Sequence, residues 1–255
     1  MKGVYQLMLP NSVFNAATDK GLVRSNNEDE YLILKSKDNR FVLLILADGM
    51  GGHKSGDEAS KIAVRYTSFM IDRNFRDDMS DKELLDLLDQ AIEAANVQVQ
   101  LEALASPEKS GMGTTLTVAL IVNKHLYLGH VGDSRFYLLR NNDFYQITKD
   151  DTYVQSLVDK GELNSAEAAS HPQNNILIKA IGSNDAVNPQ LLDLELQESD
   201  KFLMCSDGLY DVLSNRDIKE ILSDSQDTKT CVNEYIKQTL KKGAPDNVTV
   251  IAGFI

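Results

Sequence analysis

Residues 41–49 read Phe41-Val42-Leu43-Leu44-Ile45-Leu46-Ala47-Asp48-Gly49. The run Phe41–Ala47 is apolar at every position rather than at every second one, as in a strand covered on both faces. It is far too short for a bilayer, which takes about 18–20 residues. It ends on an aspartate next to a glycine. Two other runs end in the same way: Leu126–Val131 leads into Gly132-Asp133, and Phe202–Cys205 into Ser206-Asp207-Gly208. A further aspartate, Asp246, stands just before the last run, Val248–Ile255, and Glu28-Asp29 stands just before Tyr31-Leu32-Ile33-Leu34.

Outward from that stretch, strand-like and helix-like segments alternate. Leu116–Val122, Phe136–Leu139 and Leu191–Leu196 join the runs above as strands by length and by β-branched or aromatic content. Helical spacing follows Ser55, which with Glu58 predicts a capping box ahead of Ala59, Ile62, Ala63, Tyr66 and Met70. Ser80 with Glu83 predicts a second box ahead of Leu84, Leu88, Ala91, Ala95 and Val99. A third helix is expected over Thr228–Lys242, with Gly243 at its C-terminal cap. The strands outnumber the helices and come in consecutive groups. That argues for stacked sheets flanked by helices, not a parallel βαβ fold. No repeat or linker-like tract divides the chain, so residues 1–255 read as one domain, patterned from about Ser12 to Ile255.

A strand aims the residue at its end, so strands from stacked sheets can bring such carboxylates to one place. Gathered anions repel and raise one another's pKa values, and cations relieve this. The donors are all oxygens, with no His or Cys at ligand spacing, which favours Mg²⁺, Mn²⁺ or Ca²⁺ over Zn²⁺. A single Asp-Gly after a strand is usually only a turn; several together are harder to assign to turns.

Composition narrows the function classes. The net charge is −12, which disfavours nucleic acid and anionic membrane surfaces as partners. Residues 1–6 lack an apolar stretch of signal-peptide length, and a cytoplasmic protein is expected. Cys205 and Cys231 form no CxxC and read as buried free thiols.

At these residues the chain resembles the metal-dependent protein phosphatases (PPM, or type 2C, serine/threonine phosphatases) in their compact bacterial form. The motifs run in order along nearly the whole sequence. They are 18–29 (Thr18 to Asp29), Ala47-Asp48-Gly49-Met50-Gly51-Gly52-His53, Ser110-Gly111-Met112-Gly113-Thr114-Thr115 and Val131-Gly132-Asp133-Ser134-Arg135. His171-Pro172, Asn175, Ala180-Ile181-Gly182, Cys205-Ser206-Asp207-Gly208-Leu209 and Pro245-Asp246-Asn247-Val248-Thr249 follow.

The resemblance implies an α+β fold, a four-layer αββα sandwich with two central antiparallel sheets flanked by helix pairs. It implies hydrolysis of phosphoserine and phosphothreonine on proteins, the substrates of a Ser/Thr kinase. The attack is expected from a hydroxide bridging two Mn²⁺ or Mg²⁺ ions, with a weaker third ion beside them. By the same resemblance Asp48 bridges the core ions, Gly49 gives its carbonyl to the second, and Asp207 and Asp246 complete the first. Asp133 with Asp207 matches the third site, and Glu28 and Asp29 hold metal-bound waters. Arg24 is expected to bind phosphate, because its guanidinium fork matches two phosphate oxygens.

Met50 stands where eukaryotic members carry a histidine, leaving His53 as the nearest candidate for the acid; His125, His130 and His171 read as structural. Residues 150–182 resemble the family's flap, packed by Leu157, Val158 and Leu163. Within it Asp150-Asp151-Thr152 stands where relatives often have Asp-His-Ser, a change in polarity beside the cleft. Other readings are an inactive relative serving as a binding module, a hydrolase of small phosphate esters and a Ca²⁺-binding structural protein. The retained Asp48, Asp207 and Asp246 speak against the first, the flap against the second and the lack of EF-hand spacing against the third.

Overall fold

The computed structural model describes residues 13–51, 55–164, 167–168, 171–183 and 186–255. The apolar run becomes β3 (Val42–Met50), flanked by β2 (Asp29–Lys35) and β5 (Leu116–Val122). With β6 (His125–Val131) and β9 (Gln190–Glu195) they form one sheet in the order β2-β3-β5-β6-β9, and short β4 (Gly113–Thr114) pairs with β3. The second sheet has the order β1-β11-β10-β7-β8. Its strands are β1 (Val13–Asp19), β7 (Arg135–Arg140), β8 (Asp143–Gln146), β10 (Lys201–Cys205) and β11 (Val248–Phe254). Every recorded strand pair is antiparallel.

The continuous apolarity of β3 has a direct cause. Alternate side chains point to opposite faces. Leu43, Ile45 and Ala47 pack with Ala59, Ala63, Leu88, Ile92 and Ala95, which lie on α1 (Ser55–Asn74) and α2 (Asp81–Ala105). Val42, Leu44 and Leu46 pack instead with Phe136, Phe202, Met204 and Ile251 of the other sheet. A third core joins the outer face of that sheet to the helices between Asp207 and Lys241 through Leu203, Cys205, Leu209, Ile218, Leu222, Cys231 and Tyr235. The layers are therefore helices, sheet, sheet, helices, as expected. Each fully buried Leu, Ile or Phe contributes roughly 1.5–3 kcal/mol.

Further α-helices are α3 (Tyr153–Asp159), α4 (Asp207–Tyr210), α5 (Asn215–Asp224) and α6 (Thr228–Lys241). The Ser80–Glu83 capping box forms in full. The Ser55–Glu58 box does not. Ser55 lies within the helix with its hydroxyl on Glu108 O at 3.2 Å, and Glu58 pairs with Lys109 Nζ at 2.7 Å, so tertiary partners replace the local cap. Helix α6 ends as expected, with Gly243 N–H donating to Leu240 O at 3.1 Å. A box absent from the sequence expectations, Ser214 with Asp217, starts α5. Among the described residues, no helix is long and apolar enough to cross a membrane.

Candidate active site

Register decides which carboxylates meet. In the β2–β3 ladder Asp29 stands opposite Asp48, which lies inside β3 rather than beyond its end. In the second sheet Cys205 pairs with Val250, so the chain leaving β10 meets the chain entering β11. There Ser206 N–H donates to Thr249 O at 3.1 Å and Thr249 N–H to Ser206 Oγ at 2.9 Å. The next glycine allows the closest approach: a Cβ on Gly208 would lie 1.9 Å from Asn247 O. Asp207 and Asp246 are thereby held side by side. Gly49 is equally restricted, since a Cβ there would lie 2.2 Å from Gly56 O and 2.6 Å from Glu28 O.

Asn247 organises the loop that carries Arg24 and Glu28. Its Nδ2 donates to Lys20 O at 2.9 Å and Asn26 O at 2.8 Å, and its Oδ1 accepts from Glu28 N–H at 2.8 Å. The sequence motif contained Asn247, but nothing local marked it as a clasp between segments more than 200 residues apart.

A cleft of about 780 Å³ opens above these strand ends. Arg24, Glu28, Asp48, Gly49, Asp133, Asp207 and Asp246 all line it. Asp29 does not; it is buried, with Oδ2 accepting from Ser206 Oγ at 2.8 Å. Arg24 Nη2 donates to Asp246 Oδ2 at 2.6 Å. His53 lies outside the described residues.

The electrostatics follow from burial. Loss of hydration pushes Asp48 and Asp207 well above the usual carboxylate range, and neighbouring carboxylates push the same way. Burial, then Asp150, raises Asp133 to about 7. Burial raises Asp29 to about 6 against the pull of hydroxyl donors. Asp29 Oδ1 is also buried without a hydrogen-bond partner. Hard cations suit such a place: the donors are all oxygens, one is orphaned, and the anions repel. Among the described residues no group of three such side chains already forms a finished ion cage, so the fit rests on donor chemistry and charge.

Of the histidines expected to be structural, His130 is buried and held at both ring nitrogens. His130 Nε2–H donates to Gly132 O at 3.0 Å and Nδ1 accepts from Thr117 Oγ1 at 2.9 Å; burial lowers its pKa and keeps the ring neutral. His125 opens β6, and His171 Nδ1 accepts from Gln173 N–H at 3.2 Å. Cys205 and Cys231 are free and buried. Val154 is the buried side chain of α3, while Leu157, Val158 and Leu163 are half-buried.

Asp150, Asp151 and Thr152 do not line the main cleft. Asp150 takes Arg135 through Nε at 3.1 Å and Nη2 at 2.7 Å. Asp151 accepts from Gly132 N–H at 3.1 Å and pairs with Lys179 at 3.1 Å, while Thr152 caps α3. The Arg135 guanidinium also lies 3.6 Å from the centre of the Tyr210 ring, whose hydroxyl donates to Asp133 O at 3.0 Å. Asp211, at the C-terminal cap of α4, was missed. Burial raises it, and its charge bears on both Asp133 and Asp207. The available signal was its four-residue spacing from Asp207, one helical turn.

A family model described as Protein phosphatase 2C matches residues 23–244. The serine/threonine protein phosphatase PstP of Mycobacterium tuberculosis is 41% identical over 238 residues, or 93% of this chain, and the chain spans 44% of that protein's length. The serine/threonine phosphatase stp of Listeria monocytogenes is 35% identical over 234 residues, covering 92% of each chain. Among solved structures, the catalytic domain of PstP in complex with 2 manganese ions matches with a TM-score of 0.81 at 38% identity, over 95% of this chain and 97% of that one.

Proposed function

The chain belongs to the protein phosphatase 2C family, and on that premise we propose that it is a divalent-metal-dependent phosphatase acting on phosphoserine and phosphothreonine in proteins. One observation carries this: Glu28, Asp48, Asp133, Asp207 and Asp246 converge on a single cleft that also holds Arg24.

Asp48, the Gly49 carbonyl, Asp207 and Asp246 would hold two Mn²⁺ or Mg²⁺ ions, and Asp133 with Asp207 a weaker third. Glu28 stands at the rim, and Asp29 supports Asp48 from its buried position opposite. Bound divalent cations supply Lewis acidity toward water and phosphate and neutralise the clustered carboxylates. Arg24 orients the phosphate through its guanidinium fork, its place set by the Asn247 clasp. Water attacks phosphorus directly in this proposal. Both cysteines are buried with their thiols pushed up, which suits a chain without a protein nucleophile. His53 is our candidate for protonating the leaving oxygen.

The manganese in a relative's structure and the phosphatase names of two relatives support the proposal. It includes one domain over residues 1–255 with a flap at 150–182, action in the cytoplasm, and substrates supplied by a Ser/Thr kinase. The test is phosphate release from phosphoserine and phosphothreonine peptides, assayed beside p-nitrophenyl phosphate and nucleotides. Release is expected with Mn²⁺, less with Mg²⁺ and none in excess EDTA. Full activity in EDTA, or hydrolysis of nucleotides alone, refutes it.

A further inference from the structure

Exposed apolar side chains flank a cleft whose floor is made of carboxylates. Val23 lines the cleft immediately before Arg24 and is 71% exposed, with Leu22 beside it at 66%. Ile178 lines the same cleft and is 52% exposed, with Ile176 at 47%. One exposed apolar residue needs no explanation, but two lining one opening, each with a further exposed apolar residue close by in the chain, call for an occupant. The backbone is pinned at Ile178 and Ile176, and at Leu22 next to Val23. Leu22 N–H donates to Ala244 O at 2.9 Å, Ile178 N–H to Asp151 O at 2.8 Å, and Ile176 O accepts from Tyr153 N–H at 2.8 Å. Side chains presented on held backbone lose little further freedom on contact.

Charge excludes one class of neighbour. Bound divalent cations would neutralise the carboxylates on the cleft floor, but the cations Arg24 and Lys179 beside them are already paired with Asp246 and Asp151. The whole chain carries −12, more than two or three divalent cations offset. An acidic side chain beside a phosphorylated residue would meet a repulsive field.

We propose that Val23 and Ile178 are specificity-determining residues that hold apolar side chains flanking the phosphorylated serine or threonine. The preferred substrates are then phosphoproteins with apolar, not acidic, residues next to the phosphosite. This rests on the phosphatase function proposed above and names its substrate class. The occupant is the substrate chain itself, because both residues are continuous with the cleft that contains Arg24.

The experiment compares kcat/KM on three matched phosphothreonine peptides with Leu, Gly or Glu on both sides of the phosphothreonine. The Leu peptide should exceed the Gly peptide by about 5- to 10-fold, chiefly through KM, as for apolar contacts made equally in ground and transition states. The Glu peptide should be slowest. Val23→Ser and Ile178→Ser should each shrink the Leu-to-Gly ratio, and the double variant should bring it within about twofold of unity. A ratio taken within one variant does not depend on how much of that protein is active. Equal rates on all three peptides, a preference for Glu, or a Leu preference surviving in the double variant overturns the proposal. Hydrolysis without preference sinks this inference alone, whereas no hydrolysis of any peptide with Mn²⁺ sinks the phosphatase function with it.

Discussion

Asp29, buried, and Asp48, half-buried where it lines the cleft, face each other across the β2–β3 ladder, and Asp29 Oδ1 has no hydrogen-bond partner. Such a pair is costly when both members are ionised. Folding without a cation must either protonate one or bear the repulsion.

The pair predicts how the metal-free protein responds to pH. Asp29 is raised to about 6 and Asp133 to about 7, both above the ordinary value of about 3.9. The folded state therefore holds protons that the unfolded state has already released. Stability from these groups is fully present below about pH 4 and is lost as pH rises through about 6–7. In EDTA the melting temperature should fall by several degrees between pH 5 and 8, and Mn²⁺ should restore more at pH 8 than at pH 5. Scanning calorimetry checks this; a metal-free melting temperature that rises across the window would contradict it.

Replacing the core ligands should separate stability from activity. Asp48→Asn, Asp207→Asn and Asp246→Asn should each lower turnover by more than about 100-fold, since even residues supporting a metal ligand typically cost about 10–100-fold. The metal-free variants at Asp48 and Asp207 should melt at or above the wild-type temperature at pH 8, because a neutral amide removes a poorly hydrated charge from among like charges. Near-normal turnover in Asp207→Asn would remove it from the metal set.

Asp133 distinguishes a ligand from a turn residue. Its backbone carbonyl, not its side chain, accepts the Tyr210 hydroxyl, so Asp133→Ala keeps that bond. The variant should fold normally, keep its tighter Mn²⁺ sites and lose one weak site by calorimetry. It should lose most phosphopeptide turnover, as when a group acts only in the transition state. Wild-type turnover, or an unfolded protein, would return Asp133 to a structural role.

Arg24→Ala should act on phosphate rather than on folding. The Arg24–Asp246 pair is solvent-exposed, so its loss should change stability by less than about 1 kcal/mol. Loss of a charged hydrogen-bonding partner should weaken inhibition by inorganic phosphate by about 2 kcal/mol, roughly 30-fold. An unchanged phosphate inhibition constant would show that Arg24 serves only Asp246.

Much of the architecture is local information. The two-faced apolarity of Val42–Ala47, the Ser80–Glu83 cap and the Gly243 stop are properties of short windows, and the structure keeps all three. The Ser55–Glu58 box failed because distant partners, Glu108 and Lys109, took both side chains. Helices α3, α4 and α5 are short, 7, 4 and 10 residues, and give too few turns for a strong periodic signal.

The candidate site divides in the same way. By itself the sequence determined which residues can carry the chemistry: oxygen donors at strand ends, an arginine in the first motif and no thiol poised for attack. Those are matters of residue type and near neighbours. Tertiary structure alone decided which carboxylates share a cleft and which is sealed away. Asp29 differs from Glu28 by one position, yet Asp29 is buried where β2 begins, against Asp48 and Ser206, while Glu28 lies just before the strand and lines the cleft. It also decided that Asp150 and Asp151 hold Arg135 and Gly132 instead of facing the cleft, and that Asn247 ties the Arg24 loop to β11. Each of these depends on pairing between segments far apart in the chain, and a charge buried by such pairing has a pKa that no local window contains.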